Sequence, residues 1–177
     1  MEGNGKAMKQ IVRLFISSAL IMNVLLPFGY SESGSSAPTQ VSKEKKSVQT
    51  GAAEKLLQDF IESLNTCDLE KLMPLFSDDA TVFFPIANAP LRADGSEKIE
   101  GIFREFFNQA RAGKAGPLYM NLQAEDVKTQ ILDKTAVVTF HIRSGAVTSR
   151  RTLILRYSNN KWSIVHLHAS NMRKGET

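Results

Sequence analysis

Apolar residues recur along the chain with two different periods, and the change between them divides its folded part in half. Leu56, Leu57, Phe60, Ile61 and Leu64 follow the spacing of one helical face, which predicts an amphipathic helix after about Gly51. The stripe breaks near Asn65-Thr66-Cys67. Asp68 stands where a cap is needed, and Leu69, Leu72, Met73 and Phe76 predict a short second helix. Ser77-Asp78-Asp79 is expected to turn, and Ala80 to Phe84 to run as a strand closed by Pro85. The capping-box arrangement Asp94-Gly95-Ser96-Glu97 opens a third helix, whose buried stripe is Ile99, Ile102, Phe103, Phe106, Phe107 and Ala110, up to Gly113.

Beyond Gly113 the pattern becomes extended. Four segments follow, at about Tyr119 to Ile131, Thr135 to Arg143, Val147 to Tyr157 and Trp162 to Ser170, divided by Asp133-Lys134, Ser144-Gly145 and Asn159-Asn160. Connections this short imply an antiparallel meander. Helices first and a sheet second make an α+β layout, in which the helical stripes cover one sheet face.

The N-terminus follows neither period. A basic stretch to Arg13 precedes an apolar run from Leu14 to about Phe28 and the small-residue run from Gly29 to Ala37. These zones predict a secretory signal peptide over residues 1–31, cut after Ser31, with Met1 or Met8 as the start. The run carries Ser17, Ser18 and Asn23 and meets Pro27, which leaves it short of the ~20 residues of a spanning helix. A secreted or periplasmic protein without a stable membrane anchor is expected. Residues 32–50, rich in Ser, Gly, Thr, Gln and Lys and without apolar periodicity, are expected to be a disordered linker. The domain should then span 51–172, with 173–177 as a tail.

Composition narrows the function. The chain has 177 residues, enough for one good core and hardly two. Lys and Arg outnumber Asp and Glu by 22 to 18, but the leader holds three of those cations and one of the anions, leaving 19 against 17. No run of five like charges occurs, so no nucleic-acid face is expected. Cys67 is the only cysteine, so the fold cannot depend on an internal disulfide, and a small buried apolar role is expected for it.

The stretch Phe60-Ile61-Glu62-Ser63-Leu64-Asn65-Thr66-Cys67-Asp68-Leu69-Glu70 through Leu75-Phe76-Ser77-Asp78-Asp79-Ala80-Thr81-Val82 resembles the opening helices and first strand of the ketosteroid isomerase and SnoaL-like branch of the nuclear transport factor 2-like superfamily. The ending Trp162-Ser163-Ile164-Val165-His166-Leu167-His168-Ala169-Ser170 is similar to the last strand of SnoaL-like proteins and of the calmodulin-dependent kinase association domain. The resemblance covers about Gly51 to Ser170. It implies a cone-shaped, curled antiparallel sheet covered by N-terminal helices, the cystatin-like roll, with a pocket inside the cone. In ketosteroid isomerases an Asp just before the Pro that ends the first strand is the general base, and a Tyr on the first helix stabilises the enolate. The matching positions here are Phe84 and Phe60, which can neither move a proton nor donate a hydrogen bond. Steroid-type isomerisation is therefore not expected, and both rings should instead give the pocket an apolar wall.

Polar chemistry remains on the sheet. Strict alternation puts Trp162, Ile164, His166, His168 and Ser170 on one face of the last strand, and leaves open which face lines the pocket. A two-residue turn at Asn159-Asn160 would set Tyr157 opposite Trp162, Leu153 opposite His166 and Arg151 opposite His168, while a bulge would bring in Arg150 instead. His141 and Arg143 point the same way on the preceding strand. The expected function is binding of a small, mostly apolar ligand with an acidic or carbonyl group by a homodimer. Phe60, Phe84, His141, Arg143, Arg151 and Trp162 are its candidate contacts. The alternatives are a cofactor-independent isomerase, dehydratase or cyclase using His166 and His168 for proton transfer, and an oligomerisation domain. A His-x-His pair without a third ligand makes no dedicated metal site, and no phosphate-binding loop or nucleophile elbow is present, so no cofactor is expected.

Overall fold

The computed structural model describes residues 38–85, 90–144 and 147–173. Helix α1 spans Pro38–Thr66, α2 is the short Leu69–Leu72, and a 3-10 turn over Met73–Leu75 leads into strand β1, Phe76–Phe83. The two-residue β2 (Ala93–Asp94), helix α3 (Ser96–Arg111) and strands β3 (Glu125–Leu132), β4 (Thr135–Ser144), β5 (Val147–Ser158) and β6 (Lys161–Arg173) complete the order. The six strands form one sheet in the order β2-β1-β6-β5-β4-β3. All neighbours are antiparallel except β1 and β6, which run parallel and bring the first strand back beside the last. The α+β class, with helices in front of a curled open sheet, is as the residue pattern predicts.

The core lies between the helices and one sheet face. Ala53, Leu56, Leu57, Phe60 and Leu64 of α1 and Ile99, Phe103 and Phe107 of α3 pack on Ala136, Val138, Phe140, Leu153, Leu155, Ile164 and Leu167 of the sheet. At about 25 cal/mol per Å² of apolar surface, each buried Phe or Leu contributes on the order of 2 kcal/mol. Asp68 caps α2 as expected, its carboxylate accepting from the Lys71 N–H at 3.0 Å. Cys67 is buried and free, and burial raises its pKa, so the thiol stays protonated.

Several boundaries differ from expectation. Helix α1 begins at Pro38, so residues 38–50 of the expected linker are helical. Pro is tolerated in a first turn, and the Lys, Glu and Gln that follow have good helix propensity. Residues 42–48 are exposed, Val48 among them, and the first link to the sheet is Gln49, whose carbonyl accepts from the Trp162 indole N–H at 3.2 Å. Ser77-Asp78-Asp79 belongs to β1, where the register with β6 shifts between Phe76 and Thr81, and is not a turn. The capping box does not form. Asp94 lies in β2 and pairs with Arg92 at 2.7 Å, and Gly95 precedes α3 with φ of 86°, a conformation that favours glycine. Residues 119–124 are extended but join no strand; the Asn65 side chain holds them by accepting from Leu122 N–H (2.7 Å) and donating to its carbonyl (3.0 Å). Strand β6 runs past Ser170 to Arg173, the first residue of the expected tail. The expected signal peptide lies outside the described residues.

Candidate functional site

The curl of the sheet holds α1 and α3 off its distal half and leaves a cavity of about 400 Å³. Phe60 and Leu64 of α1 and Phe103 and Phe106 of α3 form its roof. Phe84 and Pro85, just past β1, close one side, with Met120 and Leu122 on another. The floor is the helix-facing side of the sheet: Ile142 of β4, Val147, Ser149 and Arg151 of β5, and Leu167, Ala169 and Asn171 of β6. Phe84 meets Phe103 edge to face, ring centres 5.3 Å apart. Such a volume falls within the range of small-molecule sites.

One bulge decides which residues reach this floor. Leu155 pairs with Ile164 but Ile154 pairs with His166, so Val165 is the extra residue on β6. Trp162 and Ile164 stay on the core side. After the bulge the alternation inverts, so that Leu167, Ala169 and Asn171 face the cavity and His166, His168 and Ser170 face away. Tyr157 opposes Trp162 as expected, but Thr152 opposes His168, and Arg151 opposes Ala169. The expected Arg151–His168 pair is thus corrected, and Arg150, opposite Ser170, does not take its place.

The candidate residues therefore divide into two groups. Phe60, Phe84 and Arg151 meet at the cavity. His166 and His168 lie on the other side of the sheet around Phe83, whose ring centre is 5.6 Å from each imidazole. There the Thr81 hydroxyl and His166 Nδ1 share a hydrogen bond of 2.7 Å. Burial, and then the neighbouring His168, lowers the His166 pKa. His141 and Arg143 share that outer side and face acids of β3, Asp126 at 3.2 Å and Glu125 at 2.7 Å. On the same face Arg156 grips Asp79 with two hydrogen bonds, of 2.7 and 3.0 Å, which hold the carboxyl well below its usual range. Trp162, before the bulge, meets Tyr157 at a tilt, ring centres 5.1 Å apart. Among the described residues no group of three His, Cys, Asp or Glu is arranged to hold a metal.

Arg151 differs from the other arginines of the sheet. Its pKa is lowered to about 10 by burial. Among the described residues its one hydrogen bond is a long one, 3.4 Å, to the carbonyl of Arg150, and no carboxylate pairs with it. A guanidinium removed from water without a counter-ion is costly, and an anion reaching it from the cavity would relieve that cost. The described lining otherwise contains no acid, His, Lys, Cys or Tyr. It can grip and shield a ligand, but holds no side chain that exchanges protons near neutral pH. Sequence reasoning missed Ser149 and Asn171. Alternation from Arg151 points to Ser149, whereas Asn171 lies past the expected end of β6.

A second concavity, an open groove of about 1100 Å³ between α2 and α3, is larger, but it is lined by charges of both signs, several of which pair with one another, as in Lys71 with Asp68 and Arg104 with Glu100. The smaller cavity, with apolar walls and an unmatched cation, is the candidate site.

Residues 53–174 match the family described as the SnoaL-like domain. A search of the curated proteins finds no match. Among solved structures, an NTF2-like protein of unknown function from Pseudomonas putida superposes with a TM-score of 0.63 at 15% identity, over 73% of this chain and 91% of that one. A putative dehydratase of the NTF2-like family from Streptomyces avermitilis gives 0.61 at 16% identity, over 72% and 98%. A putative calcium/calmodulin dependent protein kinase II association domain from Xanthomonas campestris gives 0.54 at 20%, over 71% and 87%. At these identities the likeness is one of fold.

Proposed function

The chain belongs to the SnoaL-like domain family, and from that premise we propose that it binds a small, mostly apolar carboxylic acid in the cone cavity, with Arg151 as the group that grips the carboxylate. The observation that carries this reading is a half-buried guanidinium without a carboxylate partner among the described residues, facing a cavity walled by Phe60, Phe84, Phe103 and Phe106. Binding is favoured over turnover because the histidines that an isomerase, dehydratase or cyclase would use stand on the opposite side of the sheet. We extend the proposal to an exported homodimer. Export is supported by the three-zone N-terminal pattern. Pairing through the outer sheet face is supported by Phe83, His166 and His168, which cluster there, with no helix of the described residues over them.

Isothermal titration with decanoate tests the binding. Charge-assisted hydrogen bonds contribute about 1.5 to 3 kcal/mol, so Arg151→Met should weaken decanoate by roughly 10- to 100-fold. Equal affinity in the two proteins would remove the proposal. Native mass spectrometry of protein from fractionated cells tests the rest: a dimer of subunits beginning near Glu32 is expected in the exported fraction, and an uncleaved monomer found only inside the cell would refute both export and pairing.

A further inference from the structure

Next to Arg151 the floor of the cavity carries a second polar station. The Ser149 hydroxyl, 6% exposed, donates to Asn171 Oδ1 at 2.6 Å, and the Asn171 amide donates to the Pro85 carbonyl at 3.3 Å. A carbonyl only accepts, so the amide nitrogen must face Pro85, which leaves Oδ1 for Ser149. Each group then keeps unused capacity. The second Asn171 N–H has no acceptor among the described residues, and the Ser149 oxygen, its proton committed, can still accept. One donor, on the exposed Asn171, thus lies beside one acceptor at the rim of a chamber that is otherwise apolar apart from Arg151.

A hydroxyl is the group that answers both, because it accepts and donates at once. A keto oxygen would answer only the N–H, and a methylene neither. The position of this station relative to Arg151 sets where on the ligand the hydroxyl must be. Ser149 and Arg151 are two residues apart on the same face of β5, a Cα spacing of roughly 7 Å, so the hydroxyl belongs part-way along the ligand chain and not at its far end. Arg151 is the inner of the two, since Leu153 and Leu155 beyond it are fully buried in the closed core, while Ser149, Val147 and Asn171 lie toward the distal end. A ligand gripped by Arg151 therefore enters carboxylate first.

Resting on the carboxylate reading of Arg151, we infer that the cavity selects a hydroxy acid: an apolar, medium-chain carboxylic acid with a hydroxyl part-way along its chain, received by Asn171 and Ser149.

Titration of the wild-type protein with decanoate, 5-hydroxydecanoate and 10-hydroxydecanoate tests this without any mutation. The 5-hydroxy acid should bind about fivefold more tightly than decanoate, and the 10-hydroxy isomer no more tightly. In Asn171→Leu the ratio between the 5-hydroxy acid and decanoate should fall to about one. Equal binding of decanoate and 5-hydroxydecanoate to the wild type overturns the hydroxy-acid inference and leaves the carboxylate grip of Arg151 standing. Binding of none of the three acids overturns both.

Discussion

Replacing Arg151 by Met separates a binding role from a structural one, because the two predict opposite signs of the effect on stability. Met keeps most of the apolar stem and removes the charge. In the native protein partial burial lowers the guanidinium pKa from its ordinary value to about 10, and a tenfold change in a proton equilibrium corresponds to about 1.4 kcal/mol, so desolvation destabilises the charged form by roughly 3 kcal/mol at most. That penalty is present in full below about pH 10, where the native group is protonated, and shrinks only as pH rises above that. One long hydrogen bond to the Arg150 carbonyl offsets part of it. In the absence of ligand, Arg151→Met should therefore be more stable than the wild type by about 1 to 3 kcal/mol, a rise in Tm of roughly 3 to 8 °C. Urea unfolding of ligand-free protein at pH 7 measures it. A loss of more than about 1 kcal/mol would refute the reasoning, since it would mean that the native fold itself supplies the counter-charge.

Other consequences are more local. Phe60, 1% exposed, packs edge to face on Phe76 at 6.3 Å, and Phe60→Ala should cost about 3 to 5 kcal/mol in chemical denaturation; a cost under 1 kcal/mol would mean that the roof of the cavity collapses to fill the gap. The lowered pKa of His166 sets a sign with pH. The unfolded chain takes up a proton near pH 6.5 that the native state resists, so stability should fall as pH drops through about 6.5, and His166→Phe should flatten that decline between roughly pH 7 and 5; an unchanged slope would contradict the burial of the imidazole. Asn65→Ala removes both hydrogen bonds that tie Leu122 to α1 and should cost about 1 to 3 kcal/mol, with faster amide exchange over residues 119–124; unchanged exchange there would show that the segment is held by other contacts.

Much of the architecture was legible in one dimension because it depends on local periodicity. The stripes from Leu56 to Leu64 and Ile99 to Ala110 specify which helix faces are buried, and the hairpin signals at Asp133-Lys134 and Asn159-Asn160 specify an antiparallel meander, whatever the rest of the chain does. Two Phe residues at the matched positions told of an apolar cavity lacking the isomerase base. The helix over 38–50 escaped notice for the converse reason: with residues 42–48 exposed, it has propensity but no apolar period. What tertiary structure alone decided is the side of the sheet on which each polar group stands. Side-chain direction along a strand has a period of two, so the single extra residue at Val165 inverts everything after it, sending His166 and His168 outward and Asn171 inward. A bulge has no composition of its own here. It is set by the pairing of β6 with both β5 and β1, which joins residues far apart in the chain, and only that pairing leaves Arg151 in the cavity without a counter-ion among the described residues.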